Sequence, residues 1–307
     1  MNVLVTGATG FIGKELLKRL DFCDVTAISR DKQVDYNNIK WKHLSLENLL
    51  ISDTLDDKFD VVIHLAGRAH MLNENSGDPL TEFRKVNKEI SVELAKQLAT
   101  NGLKRFVFVS SIGVNGATTE NQQPFTEKSV ANPHSAYALS KYEAEVELSN
   151  LAKELNFELV VIRPPLVYGS NALGNFGKLI QIVKKQLPLP FASINNKRSY
   201  VSVTNLASFL VICATHNKAA NETFLISDGL PISTTVLLQK LMQALNKKSV
   251  LLPLPKLLIN FLLRILGKKA MAVQLLDNLE VDNSKARTLL HWSPVETMDE
   301  ALQKIKS

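Results

Sequence analysis

The chain has 307 residues, 45% of them hydrophobic and 21% charged, with Lys and Arg at 36 against 30 for Asp and Glu. That is the make-up of a globular enzyme with a large core, and the excess cations are scattered with no nucleic-acid motif beside them, which speaks against nucleic-acid binding. Cys23 and Cys213 have no metal-type or disulfide-framework spacing, so no metal site is expected and the chain reads as cytoplasmic.

The first strand, Asn2–Thr6, leaves no room ahead of it for a secretory leader and runs straight into Gly7, Gly10 and Gly13. A pyrophosphate can lie against a backbone only where side chains are missing. The helix opening at Phe11 points free N–H groups at such an anion. Gly7, Thr9, Gly10, Phe11, Ile12 and Gly13 therefore form a predicted dinucleotide turn, in the strand-before, helix-after context the pattern requires.

Strands at Val25–Ser29, Lys42–Leu44, Val61–Leu65, Phe106–Ser110 and Leu159–Arg163 alternate with long helices over Leu80–Asn101 and Ser135–Leu155. Near-continuous apolar strands imply a sheet covered on both faces, hence an α/β, Rossmann-type doubly wound parallel sheet. Residues 1–165 form this predicted domain. After Arg163, prolines and glycines break the alternation. A smaller α/β lobe is expected from 166–194 and 217–307, with 195–216 returning to the first domain through a helix near Asn205–His216. Ser233–Asn246 and Lys256–Leu266 are expected as helices of the lobe. The apolar stretch Leu251–Leu266 is interrupted by Pro253, Pro255, Lys256 and Arg264; it cannot span a bilayer as one helix and is expected to be buried lobe core rather than a membrane contact.

Tyr137 and Lys141 stand four apart on a predicted helix and so share a face. An ammonium within about 4–6 Å lowers a phenol's pKa by roughly one to three units, which brings tyrosine toward general acid–base work. Ser110 and Ser111 close a strand at the carboxyl edge of the sheet, where open parallel sheets bind ligands, and Ser111 is placed to hold a carbonyl oxygen beside Tyr137.

Taken together, these motifs resemble the extended short-chain dehydrogenase/reductases of the nucleotide-sugar epimerase and reductase group, over nearly the whole chain. The resemblance implies Ser111, Tyr137, Lys141 and Asn87 as the catalytic set. It implies Leu65, Ala66, Gly67 and Pro164 beside the cofactor and a homodimer through the two long helices. Asn175, Phe176, Arg198 and Tyr200 resemble nucleotide-sugar contacts, with Arg198 the expected diphosphate partner. Arg68 and His70 follow the Val61–Leu65 strand and are candidate sugar or phosphate contacts. The Arg-x-Gly-Asp element of some epimerases is absent, with Leu275–Val281 in its place.

Ser29 and Arg30 end the second strand where NAD-preferring relatives place an acid; a guanidinium suits a 2′-phosphate, which favours NADP(H) with NAD(H) possible. Related dehydratases carry Asp–Glu directly after the Ser111 position, and some reducing epimerases a cysteine. Ile112 and Gly113 can move no proton, so both chemistries are disfavoured. Two outcomes at C4 of a UDP-sugar remain. Runs such as His64–Asn73 and Asn196–Val201 resemble bacterial UDP-N-acetylquinovosamine dehydrogenase-type proteins, which puts reduction of a UDP-4-keto-6-deoxy-N-acetylhexosamine for surface polysaccharide first. UDP-glucose or UDP-N-acetylglucosamine 4-epimerisation is the alternative. A reading from another class, a non-catalytic dinucleotide sensor, has no need of an intact Tyr137, Lys141 and Ser111.

Overall fold

Alternation of side chains along each strand decides how the layers assemble. Val3 and Val5 point to one face of the sheet and Leu4 to the other; Val61 and Ile63 oppose Val62, and Val107 and Val109 oppose Phe106 and Phe108. Both faces are apolar, so helices must cover both. The computed structural model describes residues 1–49, 57–68, 78–172 and 174–306.

Within these residues the strands are β1 (Asn2–Thr6), β2 (Asp24–Ser29), β3 (Ile39–His43), β4 (Val61–His64), β5 (Arg105–Val109), β6 (Glu158–Arg163), β7 (Leu166–Tyr168), β8 (Tyr200–Ser202) and β9 (Thr223–Leu225). A 7-stranded sheet runs β3-β2-β1-β4-β5-β6-β9, parallel throughout. The strand order reverses beside β1, which opens a crevice at the carboxyl ends of β1 and β4.

Helices α1 (Phe11–Leu17), α2 (Leu46–Leu49), α3 (Pro79–Arg84), α4 (Ile90–Thr100) and α5 (Ala136–Leu155) belong to the first half. The expected single helix over Leu80–Asn101 is divided by a π-helical turn at Lys85–Glu89 that carries Asn87. α4 and α5 pack on the face of Leu4, Val62 and Phe106. The opposite face is covered by α1 and by α7 (Val203–Thr215), within the segment expected to return to this domain.

α6 (Gly174–Lys184), α7 (Val203–Thr215), α8 (Thr234–Leu245), α9 (Lys256–Ile265), α10 (Lys269–Leu276), α11 (Ser284–Leu290) and α12 (Met298–Gln303) complete the helices. The lobe has its own core, in which Tyr168, Phe176 and Ile180 meet Leu237, Leu238 and Leu241. Two expectations change. Thr223–Leu225, expected in the lobe, is the edge strand beside β6, because Phe224 and Leu225 find full burial there. The Leu251–Leu266 stretch is not buried core: Ile259 is the one buried residue of α9, while Leu257 is 81% and Phe261 60% exposed. Among the described residues no helix is long and apolar enough to cross a membrane.

Candidate active site

At the turn after β1, Gly7 takes a φ of +68°, and a Cβ there would stand 2.8 Å from the Ala66 amide nitrogen. A Cβ on Gly13 would stand 2.4 Å from the Gly7 carbonyl oxygen and 2.5 Å from that of Ala8. Side chains are sterically excluded from this bend, which lies against Ala66 at the crevice of β1 and β4. Such a bare backbone cradle fits the pyrophosphate of a dinucleotide. A cleft of about 770 Å³ opens beside it, lined in part by Thr9, Gly10, Phe11, Lys14 and Gly169.

One step along the same crevice, a Cβ on Gly67 would meet Asn87 Oδ1 at 3.0 Å and Lys141 Nζ at 3.2 Å. Asn87 is fully buried. Its amide group donates to the Arg68 carbonyl oxygen at 3.0 Å and to Ser140 Oγ at 3.1 Å, while its Oδ1 accepts from Arg68 N at 2.8 Å. Asn87 thus fastens the chain after β4 to α5, and the π turn supplies the wider backbone that aims it inward.

Lys141 is buried, donates to the Val109 carbonyl oxygen at 3.0 Å and lies 4.5 Å over the Phe108 ring. Burial pulls its ammonium down to about 8, with Glu145 opposing the fall. Tyr137 sits in the first turn of α5 with its ring against the edge of Phe83 at 5.9 Å. Its phenol is pushed up to about 12 by desolvation. The expected lowering by Lys141 is absent from this state of the site, because the ammonium is engaged with Val109 and Phe108.

Ser111 caps the short turn Ile112–Val114, its Oγ accepting from Gly113 N at 3.1 Å. With one acceptor position filled, the hydroxyl proton is left to donate. This segment lies against the start of α5, since a Cβ on Gly113 would stand 3.2 Å from Ala138 Cβ. Pro164 anchors it from the other side by accepting from Ile112 N at 3.0 Å.

Other expected contacts are placed elsewhere. Ser29 Oγ donates to the Asp31 carbonyl oxygen at 2.7 Å, so its one proton is committed, and Arg30 is exposed. Arg68 pairs with Glu82 at 2.7 Å. His70 lies outside the described residues. In the lobe, Asn175 donates to Gln274 at 2.8 Å and Phe176 is 1% exposed against Tyr168, which makes Phe176 a core residue rather than a sugar contact. Arg198 is likewise buried and donates to the carbonyl oxygens of Val273 at 3.2 Å and Asp277 at 2.9 Å. Burial lowers its pKa, and Tyr200 bonds to it.

Sequence reasoning missed the polar chain beneath the site. His64, fully buried at the end of β4, bonds Thr6 Oγ1 at 2.8 Å and Ser91 Oγ at 3.0 Å, and Ser91 donates to the Asn87 carbonyl oxygen at 2.8 Å. Burial, aided by Lys141, holds the imidazole down at about 3. The signal was present: a histidine inside an otherwise apolar strand needs partners. The buried ion pair of Arg163 with Glu145, at 2.5 Å, also went unread; it lies one helical turn beyond Lys141.

A glycine cradle at the reversal of a parallel sheet, with Tyr137 and Lys141 on a helix beside it, defines a Rossmann-type dehydrogenase/reductase architecture. The family model for the NAD dependent epimerase/dehydratase family matches residues 3–227. The chain belongs to that family, and is an NAD-dependent enzyme of the nucleotide-sugar epimerase and reductase type. It is 38% identical to a UDP-glucose 4-epimerase of Vibrio cholerae across 99% of this chain and 94% of that protein. A dTDP-4-dehydro-6-deoxyglucose reductase of Escherichia coli is 25% identical across 99% and 96%. Among solved structures, the UDP-glucuronic acid 4-epimerase of Bacillus cereus in complex with NAD superposes with a TM-score of 0.80 at 21% identity, covering 100% of this chain and 99% of that one. That last likeness speaks to the fold.

Proposed function

We propose that the chain interconverts UDP-hexoses at C4. The observation that carries this reading is the full-length similarity to the Vibrio cholerae epimerase, joined to a site that holds Tyr137, Lys141 and Ser111 but no second acid or base at Ile112 and Gly113. The relatives favour the outcome that the sequence reading placed second.

In this reading the Gly7–Gly13 turn holds the pyrophosphate, and Leu65, Ala66, Gly67 and Pro164 flank the rest of the dinucleotide. A bound NAD would accept a hydride from the sugar and return it. Tyr137 takes the proton of the C4 hydroxyl and later gives it back to the same oxygen, while inversion requires that the hydride return to the opposite face of C4 after the keto sugar has turned over in the pocket. Lys141 lowers the cost of the phenolate, and Ser111 donates to the C4 oxygen; two donors at one developing oxyanion matter because they strengthen as charge builds. Asn87 is a positioning residue that fixes the Arg68 backbone against α5.

Net reduction of a UDP-4-keto sugar is the second reading, favoured by the exposed Arg30 at the end of β2, which suits NADPH. A homodimer through α4 and α5 accompanies either reading, and sedimentation measures it. Incubation with NAD and UDP-glucose or UDP-N-acetylglucosamine should invert C4 without net change in nicotinamide absorbance. Consumption of NADPH by a UDP-4-keto sugar, with no inversion of the hexoses, overturns the epimerase assignment.

A further inference from the structure

Between residues 247 and 276 the sequence holds Lys247, Lys248, Lys256, Arg264, Lys268 and Lys269 and no acidic residue. Their charge equals the formal +6 of the whole chain. The same segment contains α9, which is apolar on its outer side as well as on the side that meets the lobe. Ile259 and, in part, Leu263 hold it to the lobe, while the exposed side carries two rows at four-residue spacing, Leu257, Phe261 and Ile265 beside Leu258, Leu262 and Leu266. Ile265 is 66% and Leu266 65% exposed.

The chain then reverses at Gly267, at a φ of +70°, with Lys268 N donating to the Leu263 carbonyl oxygen at 2.8 Å. This turn seats Lys268 and Lys269 at the end of the apolar rows. Lys256 is tied to Glu120 and Asp277. Lys248, Arg264, Lys268 and Lys269 are exposed and form no ion pair among the described residues.

An apolar helical face with the unpaired cations Arg264, Lys268 and Lys269 at its C-terminal end matches the surface of a bilayer with anionic headgroups, where acyl chains take the side chains and phosphates take the charges. A second copy of the chain fits less well. A two-fold contact through α9 would bring together two surfaces of the same positive sign. We infer that α9 and the α9–α10 turn dock this enzyme peripherally on an anionic lipid surface, with α9 lying in the plane of the interface.

The test is co-sedimentation of the full chain with sucrose-loaded vesicles. With equal parts phosphatidylglycerol and phosphatidylcholine at low salt the protein should pellet; with phosphatidylcholine alone it should stay in the supernatant. Raising the salt should release it, as screening shortens the reach of the charges. Each of Lys268→Gln and Lys269→Gln should weaken partitioning about fivefold. A Leu257→Ser, Phe261→Ser, Ile265→Ser variant should lose it while keeping the wild-type melting temperature, since these side chains are exposed. Wild type that ignores anionic vesicles overturns the inference. So does a serine variant that melts like wild type and still pellets, or one whose sedimentation coefficient shows that a dimer has come apart.

Discussion

Lys141 donates its ammonium to the Val109 carbonyl oxygen at 3.0 Å, and the phenol four residues earlier on the same helix, Tyr137, stays at about 12. In this state the lysine, held at about 8, loses its proton before the phenol does. The active form in the oxidising direction has lost one proton from the pair, wherever the remaining one resides. Below the first step kcat/KM for a UDP-hexose should fall tenfold per pH unit, with the break near 8. Glu145 raises Lys141, so Glu145→Gln should move that break to lower pH. A pH profile of both proteins checks this.

Arg163 and Glu145 are buried together, with side chains 10% and 7% exposed. Removing one partner strands a charge, because Asn115 at 3.1 Å is the other side chain bonded to the guanidinium. Glu145→Leu should cost about 3–5 kcal/mol, and the double variant Glu145→Leu, Arg163→Met should recover most of it. Urea midpoints of the single and double variants measure the difference.

His64 should make stability acid-sensitive. Its folded value of about 3 lies below the roughly 6.5 of an unfolded histidine. Above 6.5 both states are neutral and the full stability is present. As pH falls from there toward 3 the unfolded chain takes up a proton that the folded chain refuses, so stability drops by about 1.4 kcal/mol per unit. Urea midpoints at pH 7 and 5 should show this component, and His64→Gln should remove it.

Gly13→Ala should destroy the cradle. The new methyl would stand 2.4 Å from a backbone oxygen, which cannot swing aside. NADH fluorescence titration should find no binding. Gly102→Ala, with nothing within 4 Å of its Cβ but a φ of +87°, should bind NADH normally and lose about 1 kcal/mol of stability.

The sheet and the glycine turn were legible because they rest on local signals: apolar runs of five or six residues, and glycines at fixed offsets. The placement of Tyr137 and Lys141 on one helix and of Ser111 just after a strand was legible for the same reason. β9 was not, since the 3 residues Thr223–Leu225 are too short to show a period. Phe176 and Arg198 carried residue types suited to a nucleotide sugar, yet burial against Tyr168 and against the carbonyl oxygens of Val273 and Asp277 decided their surroundings. The exposure of α9 was illegible in the other direction. Its pattern is amphipathic, and periodicity does not say which side meets the lobe.

Replacing Tyr137 by Phe tests the central claim most directly, with C4 inversion and dinucleotide affinity measured on the same preparation. The account predicts turnover down by at least about 10²-fold, the scale of one lost general acid–base group, with NADH affinity unchanged. Turnover within about threefold of wild type, under roughly 1 kcal/mol of barrier, would contradict it.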